Sequence, residues 1–71
     1  MNAREWLDVY AERLGTAPPT ADEFSLILDI AAEAAHASER VAAPAACWVA
    51  ARAGASLEDS LALARDVAGN R

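Results

Sequence analysis

The stretch TADEFSLILDIAAEAAHA, residues 20–37, decides the fold. Thr20 followed three residues later by Glu23 is a capping box, in which the hydroxyl accepts from the Glu23 amide and the carboxylate accepts from the Thr20 amide. No proline or glycine interrupts the residues that follow, and the signal predicts a helix over 21–37, roughly 25 Å long. Phe24, Ile27, Leu28, Ala31, Ala34 and Ala35 share one face, and Leu26 and Ile30 widen it. A helix with so broad an apolar face is expected to meet partners on more than one side. Asp22, Asp29, Glu33 and His36 make its polar strip.

Towards the N-terminus, Asn2 is placed to cap a helix over 3–14, its side-chain oxygen accepting from an orphan amide of the first turn. Trp6, Leu7, Tyr10 and Leu14 fall at i, i+1, i+4 and i+8 and form one apolar stripe, which Gly15 ends. The connector TAPP, 16–19, is rigid because two prolines cannot continue the helix and each biases its predecessor towards extended backbone. Towards the C-terminus, Ser38–Ala43 reads as an elbow and Pro44 as a first-turn residue of a helix over 44–53 that Gly54 stops. Cys47, Trp48, Ala50 and Ala51 are its inward candidates. Ser56 then caps a helix over 57–68, with Glu58 and Asp59 in the first turn where the helix dipole favours anions. Leu57, Leu61, Ala64 and Ala68 form its stripe, broadened by Val67. With no alternating strand pattern and no internal repeat, the expectation is an all-α, single-domain chain, 1–71: a compact bundle of four short helices.

Composition sets how well such a bundle can close. Of 71 residues, 39 are hydrophobic, but 20 of these are alanine, which leaves a thin supply of bulky core groups. Alanine favours helix and lets helix axes approach to the near end of the usual 8–10 Å range. A domain of this size buries only about 60% of its unfolded surface and often draws on an oligomer interface for stability. The four aromatics Trp6, Tyr10, Phe24 and Trp48 are therefore expected in the core or at an interface.

Charge excludes some partners. The net charge is −5, and the six cations are all arginine, no two of them adjacent. Phosphate backbones and anionic lipids need a basic stripe, so neither nucleic acid nor membrane is an expected partner. There is no signal-peptide pattern and no apolar run long enough to cross a bilayer, and the single cysteine cannot form an internal disulfide, which fits the cytoplasm. Lysine is absent beside abundant alanine and arginine, a pattern of high-GC coding genomes.

Three constellations bear on chemistry. Glu33 and His36 form E-x-x-H on a helix, a di-iron spacing, but those sites need two such motifs and this chain owns one histidine; the plainer fate is a hydrogen bond near a helix end, and no metal is expected. Cys47 and His36 are a nucleophile and base in type, yet nothing in their spacing joins them, and an inward cysteine is usually a small hydrophobe. Asp59-Ser60-Leu61 matches the triplet at which acyl carrier proteins bear phosphopantetheine, although only 11 residues follow Ser60, which reads instead as an early-turn helix residue. No catalytic residue and no cofactor is expected.

The chain as a whole resembles a known group. Trp6-Leu7, Leu14-Gly15, the proline-rich connector, the Leu28/Ala31/Glu33 helix and the elbow Ala35-His36-x-x-Glu39-Arg40-x-x-Ala43-Pro44 carry the likeness over about residues 5–68. It resembles a small actinobacterial domain of unknown function, found alone or fused to the C-terminus of molybdenum-cofactor guanylyltransferase-like nucleotidyltransferases. Val41 departs from a proline common there, and Ala45-Ala46-Cys47 from a Leu-Thr-Thr. The resemblance implies a setting in cofactor metabolism and not a reaction. The elbow, with His36, Glu39 and Arg40, has two readings. In one, Arg40 and His36 serve the C-terminal carbonyls of the long helix while Glu39 pairs with Arg40 or Arg52. In the other, these groups with Glu33 form a polar recognition patch for a partner, a small ligand or a metal. The expected function is a non-enzymatic accessory or protein-interaction module that self-associates through an alanine-rich face or docks on a nucleotidyltransferase.

Overall fold

The structure, a computed structural model, describes residues 1–69 and is all-α over them: α1 (Ala3–Leu14), α2 (Ala21–Ala37), α3 (Ala42–Ala53) and α4 (Leu57–Gly69), with no strand among the described residues. The expected caps form. Glu23 N–H donates to Thr20 Oγ1 at 3.1 Å and Thr20 N–H to Glu23 Oε1 at 2.8 Å, closing the box that opens α2. Asn2 and Glu5 make the same reciprocal pair at α1, at 2.8 and 2.9 Å. At α4, Asp59 N–H donates to Ser56 Oγ at 3.1 Å. Gly15, at φ 81°, ends α1: its amide donates to Glu12 O at 3.1 Å and that of Thr16 to Ala11 O at 2.9 Å, so two orphan carbonyls are satisfied.

The start of α3 lies two residues ahead of the expected position. Its first amides need no side-chain cap, because Ala42 N–H donates to Glu39 O at 2.9 Å and Ala43 N–H to Arg40 O at 3.1 Å. The next residue, Pro44, has no amide to satisfy. The elbow thus caps α3 with backbone carbonyls.

Helix α2 is the spine. The extensive contacts are those of α3 with α2 and of α4 with α2; α3 and α4 do not pack on each other to a comparable degree. Ile30 of α2 is the most enclosed side chain among the described residues, 2% exposed, and Leu61 of α4 and Ala11 of α1 are the other buried ones. Burying one such aliphatic group contributes about 1.5–3 kcal/mol, so a core this short stabilises the fold only modestly. Helix α1 hangs on the α2 N-terminus: Arg4 Nη1 donates to Pro19 O at 3.1 Å, and its guanidinium lies 5.5 Å from the centre of the Phe24 ring.

Several faces differ from expectation. In α3 the half-buried side is Ala42, Ala43, Ala46, Cys47 and Ala50, while Trp48 and Ala51 point outward. The helix presents its small residues to α2, which permits close approach, and leaves Trp48 outside beneath Arg52, 5.4 Å from the ring centre. In α1 the inward edge is Leu7 and Ala11, and Trp6, Tyr10 and Leu14 stay exposed. Leu28 of α2 is exposed as well, and Ile30 takes the central place expected of the Phe24–Ile27–Leu28 face.

The molecule is spread out for its mass. Its radius of gyration is 12.7 Å, against about 11 Å for a compact domain of this length. Its accessible surface is 5312 Å², against about 4,200 Å² for a typical 7.4 kDa monomer.

Candidate interaction surface

Because α3 and α4 lie against α2 without closing on each other, a groove of about 500 Å³ runs between them. Ile30, Ala34 and Ala37 of α2 form its floor. Ala46 and Val49 stand on the α3 wall, and Leu63 and Val67 on the α4 wall. Glu33 is the one charged residue of the lining among the described residues, and Arg65 Nε approaches its Oε2 at 3.6 Å. The groove is therefore a nearly uncharged apolar trough, and Val49, Leu63 and Val67 are left more than half exposed along it.

A second apolar surface lies on α1. Trp6 (53% exposed) and Tyr10 (49% exposed) stack with ring centres 4.9 Å apart, and Val9 and Leu14 continue the exposed flank. Eleven of the nineteen large apolar side chains are exposed in all. A scattered few are normal on any protein, but stripes of this kind mark contact surfaces.

The sequence-selected site residues are placed differently. Of the elbow set, His36, Glu39 and Arg40 are exposed, and none of them makes a side-chain hydrogen bond or ion pair to a described residue. Arg40 does not reach the end of α2, and Glu39 pairs with neither Arg40 nor Arg52. Glu33 turns to Arg65 on α4. No three His, Cys, Asp or Glu side chains among the described residues converge as a metal would require. The Cys47 thiol faces α2, 3.9 Å from Ile27 O, and its partial burial pushes the pKa up, which lowers its thiolate fraction at neutral pH. His36 lies nine residues beyond Ile27 along α2, about 13 Å by helix rise. Ser60 lines the groove wall, and its amide donates to Ser56 O at 2.9 Å within the first turn of α4.

What the sequence reading missed is the groove. Ser60, Leu63 and Val67 sit at i, i+3 and i+7, a second stripe on α4 beside the one that packs on α2. That stripe, with an unabsorbed Val49, was the available signal. Among the described residues no helix is long and apolar enough to cross a membrane. No protein-family model, no curated protein and no solved structure matches this chain.

Proposed function

We propose that this chain is a non-enzymatic accessory or protein-interaction module whose working surface is the groove between α3 and α4. One observation carries the reading: an apolar trough of about 500 Å³, floored by the most buried of the described residues and filled by none of them. A helix laid in such a trough gains from apolar burial along its whole contact face. The alanine-rich lining supports close approach of a partner helix. The likeness of the elbow and connector to the nucleotidyltransferase-associated domain supports a cytoplasmic setting in which one partner is such an enzyme. The test is capture on immobilised protein, comparing wild type with Val67→Asp, read by mass spectrometry. A protein, this chain or another, retained by wild type and lost from the variant is the expected result; equal retention by both would contradict the assignment.

A further inference from the structure

The chemistry of the groove restricts what fills it. Among the described residues its single charged lining group, Glu33, is already paired with Arg65, so none of them recruits a charged segment into the trough. Its occupant must be apolar. It must also be convex: two such troughs set face to face would enclose a doubled void, whose lining atoms would lack dispersion partners. This chain carries a surface of the required shape. On the α1 flank Trp6, Val9, Tyr10 and Leu14 fall at i, i+3, i+4 and i+8, all exposed, the spacing by which an amphipathic helix anchors in a groove.

Size agrees as well. From Trp6 to Leu14 the helix rises about 12 Å, and the groove floor from Ile30 to Ala37 spans about 10 Å of α2. The surface beyond that of a typical monomer is roughly 1,100 Å² per chain, enough for the about 800 Å² that each partner of a stable complex gives up. Resting on the interaction reading above, we propose that the occupant is α1 of a second copy of this chain. Each copy gives its α1 flank and receives the other's, so a two-fold pair closes with both grooves filled. Helix α1 need not leave its own chain, because Leu7 and Ala11, on the edge beside that flank, stay turned inward.

The test uses two variants at exposed positions, Trp6→Ala/Tyr10→Ala on the flank and Leu63→Glu/Val67→Glu on the groove, followed by sedimentation velocity and circular dichroism. Wild type should sediment as a dimer. Each variant should keep its helical signal and lose dimer affinity by at least about 100-fold, the effect of removing central apolar anchors. An equal mixture of the two should regain a heterodimer, because it contains one intact flank and one intact groove. If a double variant lost helical signal, Tyr10→Ala and Val67→Asp alone would give the same readout. A wild-type dimer that persists in the flank variant but dissolves in the groove variant would reject α1 as occupant while keeping the groove as the binding surface. A dimer insensitive to both variants would reject the groove, and with it the proposed function. A wild type that stays monomeric at every concentration would reject the second copy.

Discussion

The α1 flank and the α3–α4 groove are opposites built from the same limited stock of residues. On α1 most of the large side chains stand outside and the small Ala11 is buried; in the groove, alanines form much of a trough that no described residue fills. The contrast shows how a chain with 20 alanines and few bulky groups divides its apolar surface. Close approach of α3 to α2 uses small residues and so leaves the large ones over. Those left over become a surface.

Substitutions can break or sharpen this contrast. The largest effect belongs to Ile30→Ala, which should cost about 2–5 kcal/mol and bring so small a domain close to unfolding. Val9→Ala on the flank should stay within about 0.5 kcal/mol, provided both are compared by urea denaturation at concentrations where the chain is monomeric. Similar costs at the two positions would erase the distinction between spine and flank. Next comes the cap of α2: Thr20→Ala should lose about 1 kcal/mol in the same assay. Arg40→Ala should lose less than about 0.5 kcal/mol, because only the backbone carbonyl of Arg40 serves the elbow.

The ion pair at the edge of the groove is smaller in effect. Arg65→Gln should change stability by about 1 kcal/mol or less, and that difference should shrink as salt is raised, since the pair is long and its Arg65 end is solvent-exposed. Cys47 gives the smallest effect and one of defined sign. Burial raises its folded-state pKa, so its contribution is fully present below the ordinary thiol range and is lost as pH rises through the folded value. Alkylation by iodoacetamide should accordingly be slower in the native protein than in urea at the same pH. Equal rates would place the thiol outside the α2–α3 contact.

The four helices were legible because their signals are local. Thr20 with Glu23, Ser56, Gly15 and Gly54 each mark an end through groups no more than a turn apart, and each does so in the structure. Side-chain facing was less legible, because periodicity gives a stripe without saying which edge of it meets a neighbour. Trp6 and Tyr10 lie on the same stripe as Leu7, yet only the Leu7 edge turns inward. Trp48 is the sharper case: a large aromatic is the natural filler of a thin core, but the half-buried side of α3 holds Ala42, Ala43, Ala46, Cys47 and Ala50 and leaves Trp48 exposed. The groove could not be read from any one helix, since it exists only because α3 and α4 lie apart on α2.

In the proposed pair a second copy completes this fold. Mass action then ties stability to concentration, so the most direct measurement is the thermal midpoint followed by circular dichroism across a wide range of protein concentration. A midpoint that climbs steadily as the protein is concentrated is the predicted result. One that stays fixed over the whole range would contradict the claim.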